Sequence, residues 1–310
     1  MSLIQTLQTV MEETAYLPQP DVSLSVFALT ETDTNEVLAF LAERPIHTVC
    51  MTGMIRDNGL ESELNRGTFF GCRNSEGRLE GVALIGHATL IETRTRGAVR
   101  ELAQTAQLYP RLHMIMAEQE KVEEFWNHYA DDGQPMRRAC RELLFELKSA
   151  IDVPGSAEGL RLATIDDLRL IAPVHAAMAE IESGVNPLEK DREGFLRRCT
   201  RRIEKNRVWV VIEDGRLIFK ADVQAETPEV IYLEGVYVAP EERGSGFARK
   251  CFTQLCETLL TTTRSICVLA NEENERAHAF YRLCGFRCVS KYDTVFLKLE
   301  ERSPSATMVN

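Results

Sequence analysis

The 310-residue chain lacks most features that assign function directly. No stretch approaches the ~20 consecutive apolar residues that a membrane helix needs, so no membrane contact is expected. The segment from Met1 to Leu7, followed by Glu12 and Glu13, has no basic leading region and no continuous apolar core. It does not read as a secretory signal, and a cytoplasmic protein is expected. Basic residues are not in excess, since the net charge is −11. A nucleic-acid partner needs a basic face to displace counterions and is not expected either. One local patch, Arg197, Arg198, Arg201 and Arg202, reads as a solvated helix face. The nine cysteines include no CxxC pair and no Cys/His cluster with zinc-ligand spacing, so no metal is expected. Several lie inside apolar runs, as Cys267 does, which suits free cysteines buried as small hydrophobes in a reducing compartment.

Hydrophobic residues make up 44% and charged residues 27%, as in globular proteins. The length suggests two domains. The clearest linker is 152–159, where proline, glycine and serine interrupt a stretch without periodicity. Beyond it, Leu160–Ala163 reads as a short strand, and Thr164 with Asp167 as a capping box. Leu168, Ile171, Val174, Met178 and Ile181 follow at helical period, with Pro173 a candidate kink. A second helix is expected over 191–205. A hairpin of 208–212 and 217–219 turns at Asp214-Gly215. A strand over 230–238, a helix over 247–260, a strand over 266–270 and a helix over 275–283 come next. Two strands, 287–290 and 294–299, complete the series. The first half gives a fainter copy: strand 22–29, helices 34–42 and 46–58, a hairpin of 68–73 and 79–85, strand 88–92, helix 98–108, strand 112–117, helix 122–129 and strand 142–148. Thr30 and Asp33 stand where Thr164 and Asp167 stand later. The element order therefore predicts an α/β protein with a mixed sheet and an internal duplication.

Chemistry concentrates in two segments. In the first, Val236-Tyr237-Val238-Ala239-Pro240 ends a strand. Glu241-Glu242-Arg243-Gly244-Ser245-Gly246 then turns into a helix at Phe247-Ala248-Arg249. Glycines let a loop backbone approach a ligand closely. The unpaired amides and dipole of a helix start suit an anion such as a pyrophosphate. The second segment runs from Asn271 through Asn274, Ala277, His278 and Tyr281 to Gly285-Phe286.

The first segment resembles the arginine-x-x-glycine-x-glycine/alanine pattern of the GNAT superfamily of N-acetyltransferases, filled by Arg243, Gly246 and Ala248. The second is similar to that family's asparagine–alanine–tyrosine–glycine–phenylalanine signature. The resemblance implies a GNAT-like acyl-CoA N-acyltransferase fold over 160–300, with acetyl-CoA (acyl-CoA) as co-substrate. It implies that the backbone of Val236, Tyr237 and Val238 pairs with the pantetheine arm. The amides of Arg243, Gly244, Ser245, Gly246, Phe247, Ala248 and Arg249 would cradle the pyrophosphate. Asn274 would bond the cofactor, with Asn271 and Ala277 beside it. Tyr281 would protonate the leaving thiolate, a task suited to a phenol that keeps its proton at neutral pH. The amine would attack the thioester directly, which leaves the cysteines no catalytic part. It must first lose a proton, and Glu234, on the side of its strand shared with Tyr232 and Val236, is the candidate base. Relatives carry such a glutamate two residues away in register. His278 reads as a surface histidine.

In the first half, Glu92-Thr93-Arg94-Thr95-Arg96-Gly97-Ala98 keeps one glycine and none of the spacing. Residues 1–151 thus look like a degenerate GNAT-like domain that binds no CoA, 152–159 a linker, and 301–310 a flexible tail. The whole resembles tandem GNAT proteins with one silent half. The expected activity is acetyl transfer to a small-molecule or peptide amine. Transfer of a longer acyl chain, or a non-catalytic acyl-CoA sensor, remains an alternative, and a homodimer is left open.

Overall fold

Thr30 donates its backbone amide and hydroxyl to Asp33 Oδ2 at 2.9 and 3.1 Å, and Thr164 does the same to Asp167 at 2.8 and 3.1 Å. These paired turns start the first helix of each half in the computed structural model, which describes residues 23–298. The leading segment and the tail at 301–310 lie outside the described residues.

The first half runs β1 (Ser25–Ala28), α1 (Thr34–Ala42), α2 (Pro45–Asn58), β2 (Gly67–Arg73), β3 (Leu79–Gly86), β4 (Ala88–Thr93), α3 (Arg96–Gln107), β5 (Met114–Glu118), α4 (Gln119–Tyr129) and β6 (Met136–Leu147). The second runs β7 (Arg161–Leu162), α5 (Leu168–Ser183), α6 (Pro187–Lys190), α7 (Arg192–Glu204), β8 (Val208–Glu213), β9 (Arg216–Glu226), β10 (Val230–Val238), α8 (Phe247–Leu259), β11 (Ser265–Asn271), α9 (Glu275–Leu283) and β12 (Arg287–Leu297). Local chemistry explains many of the boundaries. α3 buries Ala98, Val99, Leu102, Ala103 and Ala106, a helical stripe against the sheet. α5 continues through Pro173 and stops at Gly184, whose φ of +73° favours glycine. Asp214 and Gly215 both take positive φ, the type I′ geometry that matches the twist of a tight hairpin between β8 and β9.

The twelve strands among the described residues join one sheet, ordered β1-β2-β3-β4-β5-β12-β6-β11-β10-β9-β8-β7. Read from either edge the order is the same, five strands of one half and then the last strand of the other. β6 pairs with β11 from Ile266↔Leu147 to Asn271↔Glu142, and β12 pairs with β5 from Tyr292↔Glu118 to Phe296↔Met114. At the centre β6 and β12 pair with each other, antiparallel, from Arg287↔Glu146 to Leu297↔Met136. The linker at 152–159 thus divides the sequence into two series, but each series gives its final strand to the other. The cores follow the exchange. Phe145 and Leu147 of β6 lie in the second half's core beside Phe252 and Tyr281, and Val295 and Leu297 of β12 lie in the first half's core.

Three sequence expectations change. The strands expected at 287–290 and 294–299 are the single strand β12, bulged between Cys288 and Ser290. The short helix α6 was not foreseen; Pro187 opens it and Asn186 caps it. The four arginines of α7 are not one solvated face. Arg197 reaches only exposed Glu193, but Arg201 donates to Asn58 at 2.8 Å and Arg202 turns inward to Asp222 at 3.0 Å.

Candidate functional site

β10 and β11 run parallel and paired only from Val230↔Ser265 to Leu233↔Val268. Beyond this point β10 bulges, since Glu234 pairs with Asp222 of β9 but the next pair is Tyr237↔Lys220. Gly235 sits in the bulge at φ +60°, and a side chain there would meet Lys220 Nζ at 2.8 Å. That ammonium donates to the Gly235 carbonyl at 3.1 Å and to Asp222 Oδ2 at 2.7 Å. Meanwhile β11 stays with β6 through Asn271. The two strands therefore part around a cleft of about 600 Å³. The edge of β10 facing it is an unpaired strand edge, to which an extended ligand arm can add as a further strand.

At the head of the cleft, β10 leads through a short turn into α8. Gly244 and Gly246 take φ of +85° and +86°, with open space where a side chain would project. Arg243 Nε donates to the Val238 carbonyl at 3.1 Å and holds the loop closed. Ser245 Oγ accepts from the Phe247 amide at 3.1 Å. Among the described residues, the amides of Gly244, Ser245, Gly246, Ala248 and Arg249 make no hydrogen bond within the protein, and Arg249 Nε is buried without a partner. Free amides and a helix start fit a pyrophosphate.

The sequence-predicted residues divide between the cleft and its supports. Glu234, Val236, Asn271, Asn274, Ala277 and Tyr281 line the cleft. Tyr237 and Val238 pack their side chains against the core, so only their backbone is available to a ligand. Asn274 caps α9, its carboxamide oxygen accepting from the Ala277 amide at 3.1 Å. Asn271 Oδ1 accepts from the Glu273 amide at 2.8 Å. Tyr281 is 7% exposed and ringed by Phe145, Phe252, Phe280 and Phe286 at 5.7–5.8 Å. Burial pushes its phenol above the ordinary value, so it holds its proton at neutral pH. His278 is not a surface residue: it is buried, its Nε2 is 2.9 Å from the Asn271 carbonyl oxygen, and its ring packs on Phe145.

Sequence reasoning missed the opposite wall. Glu142, Cys140 and Arg138 come from the exchanged strand β6, and His175, Met178 and Glu182 from α5. Burial raises the Glu142 carboxyl above its ordinary value, and the nearby Glu234 adds to this, although Thr294 donates to it at 2.9 Å. Glu182 is an exposed residue at the end of α5 and lines this cleft. The surrounding protein, then Glu142 and Glu234, push its carboxyl up to about 7. Glu234 is held instead by Arg202 at 3.0 Å. His175, Asp222 and Glu234 converge closely enough to suggest metal ligands. However, Asp222 Oδ2 already contacts Lys220 at 2.7 Å, Arg202 at 3.0 Å and His175 at 3.2 Å. Two fixed cations stand where a metal ion would be repelled. Six cysteines are buried, as their apolar runs suggested, whereas Cys288 is exposed and Cys50 and Cys140 are half-buried. Burial, then Glu142, pushes the Cys140 thiol up to about 12, well away from a reactive thiolate.

The matching place in the first half is filled. β4 and β5 pair from Ala88↔Met114 to Leu90↔Met116 and then part. Glu92, 1% exposed, projects there and meets Arg44 at 3.1 Å, Lys121 at 2.7 Å and Arg94. Glu118 closes the cluster on Arg44 and Lys121 at 2.7 and 2.8 Å. In place of a glycine loop, Thr95 Oγ1 caps α3 by accepting from the Ala98 amide at 3.2 Å.

A sheet that splits between two parallel strands, with a glycine loop and helix start at the mouth, defines an acyl-CoA N-acyltransferase type of fold. Residues 175–286 match the acetyltransferase (GNAT) family. The fold extends over nearly the whole chain in solved structures. A GNAT-family acetyltransferase from Colwellia psychrerythraea shares 15% identity at a TM-score of 0.56, covering 89% of this chain and 100% of that one. A tandem GNAT protein from the clavulanic acid biosynthesis pathway shares 14% at 0.54, covering 91% and 100%. A GCN5-related N-acetyltransferase from Sphaerobacter thermophilus shares 13% at 0.56, covering 90% and 96%. No curated protein sequence matches the chain. The GNAT-family match thus lies within the second half, and the chain as a whole has the fold of tandem GNAT proteins. Among the described residues no helix is long and apolar enough to cross a membrane.

Proposed function

We propose that this protein is an N-acetyltransferase that moves an acetyl group from acetyl-CoA to a primary amine by direct attack. The observation that carries this reading is the pairing of opposite walls in one cleft, Tyr281 on α9 and Glu182 on α5. When bound, acetyl-CoA supplies the thioester whose carbonyl the amine attacks and whose C–S bond breaks. The free amides of Gly244, Ser245, Gly246, Ala248 and Arg249 hold its pyrophosphate, and the free edge of β10 holds its extended arm. Glu142, Glu182 and Glu234 attract the ammonium form of the acceptor. Glu182 then takes a proton from it, because a carboxyl near pH 7 is both available as a base and matched to the task. This role moves from Glu234 to Glu182, since Glu234 already neutralises Arg202. Tyr281 gives its proton to the departing sulfur and regains one, through water, from the proton that the acylated nitrogen sheds as the C–S bond breaks; the proton taken by Glu182 returns to water.

The test is release of free CoA thiol from acetyl-CoA by the purified full chain with a panel of amino acids, polyamines, aminoglycosides and short peptides. Thiol release with at least one amine is expected, and Tyr281→Phe should lower kcat by about a hundredfold or more while calorimetric affinity for acetyl-CoA holds. An unchanged kcat in Tyr281→Phe would overturn the acid role. Failure of the wild type to bind acetyl-CoA would overturn the whole reading.

A further inference from the structure

The C-terminal end of α5 has two sides. One faces the carboxylate-lined cleft. The other, through Ala179, Glu182 and Ser183, walls a second cavity of about 470 Å³ between the two halves. Ala179 and Glu182 belong to both, so the two spaces adjoin.

The second cavity has the opposite charge. Arg66 reaches it from the first half, Arg137 from the start of β6, Lys190 from α6 and Arg198 from α7. Arg198 pairs with Asp191 at 3.3 Å. Among the described residues, Arg66, Arg137 and Lys190 have no carboxylate within ion-pairing distance, and Arg137 rests over the ring of Phe296 at 5.6 Å. His87 and His113 stack in the wall with centroids 4.7 Å apart, and His113 Nδ1 is buried without a hydrogen-bond partner. Burial, then Arg66 and the other neighbouring cationic groups, push His87 down to about 3. Burial, then Arg137, Arg66 and Lys190, push His113 below its ordinary value. Both rings are therefore neutral at pH 7, and the positive charge belongs to the long side chains.

Three unpaired cations facing one cavity repel one another, in a chain whose net charge is −11. An anion seated among them would relieve the repulsion. Resting on the acyl-transfer reading above, we infer that the acceptor is bipolar: a primary amine seated among Glu142, Glu182 and Glu234, carrying a carboxylate or phosphate seated among Arg66, Arg137 and Lys190. Ala179 and Glu182, which line both cavities, mark the seam along which such a molecule would lie, its amine in one space and its anion in the other. An amine without an anionic group fills only the first space and leaves the cations unpaired.

The experiment compares acceptors matched in length. Glycine, β-alanine, 4-aminobutanoate and 6-aminohexanoate carry a carboxylate, 2-aminoethyl phosphate carries a phosphate, and methylamine through hexylamine carry neither. With acetyl-CoA and the full chain, the best anionic acceptor should exceed its alkylamine counterpart in kcat/KM by about tenfold to a hundredfold, the range for a charge-assisted contact. The carboxylate and phosphate arms decide which anion is preferred. In the double variant Arg66→Gln/Arg137→Gln this ratio should fall to about one, with thermal melting and acetyl-CoA affinity checked in the same preparation. Equal turnover of alkylamines and amino acids by the wild type, or an undiminished ratio in the double variant, overturns the inference. If no acceptor releases thiol, the acyl-transfer reading fails first, and calorimetry of 6-aminohexanoate and 2-aminoethyl phosphate decides the site alone. Binding lost in the double variant sustains the anion site, and absence of binding sinks it.

Discussion

The ring of Phe145 lies 5.8 Å from that of Tyr281, so the first half of the chain packs directly on the proposed acid of the second. Phe145 belongs to β6, which stands between β11 and β12 and completes the second half's core with Leu147. Both side chains are 0–2% exposed, and each contributes on the order of 1.5–3 kcal/mol by burial. A fragment of residues 152–310 would lose them and would expose the edge of β11, a template for aggregation. That fragment is expected to be insoluble, or to show no cooperative unfolding by circular dichroism, despite containing the whole GNAT-family match. A cooperative melt from the isolated fragment would show that the exchange of strands is dispensable.

The exchange also marks where sequence reading stops. The glycine turn and the α9 wall were legible because their determinants are local: Gly244, Gly246, Asn274 and Tyr281 keep fixed spacing within single turns and helices. The caps at Thr30 and Thr164 and the Asp214-Gly215 turn were legible for the same reason. Partner choice by β6 and β12 was not, because it is a long-range pairing and nothing local tells β6 to prefer β11 over β5. Glu142 was invisible for that reason, as it reaches the cleft only through the exchanged strand. Glu182 left a fainter signal. It lies seven residues after His175 on one face of α5, a polar pair on a face that otherwise carries Met178 and Ala179.

Glu182 makes a prediction about pH. Its carboxyl is raised to about 7 from an ordinary 4.5, so it acts as a base only above about pH 7. The kcat/KM for a good amine should fall as the pH drops below about 7. Glu182→Gln should lose that limb and about a hundredfold of the plateau, leaving what Glu142 can supply. Stability carries the opposite sign. The folded state binds this proton more tightly than the unfolded chain, so the stabilisation is present at low pH and is lost as the pH rises through about 7. Denaturant midpoints of Glu182→Gln should therefore fall less than those of the wild type between pH 5 and 8. A retained acid limb in the variant would move the base elsewhere.

The last prediction concerns the pair that pins the bulge in β10. Lys220 and Asp222 are both 0% exposed and 2.7 Å apart, with Arg202 on the same carboxylate at 3.0 Å. Asp222→Ala leaves buried cations without their counter-charge and should cost about 3–5 kcal/mol in urea denaturation. Lys220→Met combined with Asp222→Leu removes one buried cation with the carboxylate, leaves Arg202 paired with Glu234 at 3.0 Å, and should recover most of that loss, because an apolar pair of similar volume tolerates burial well. Function should not recover with it. Lys220 Nζ also holds the Gly235 carbonyl at 3.1 Å, and without that bond β10 is free to straighten toward β11 and narrow the cleft. The double variant is thus expected to be nearly as stable as the wild type but to bind acetyl-CoA at least about tenfold more weakly by calorimetry, the cost of about one charge-assisted hydrogen bond. Full acetyl-CoA affinity in the stable double variant would mean that Gly235 and the strand register hold the bulge open without Lys220.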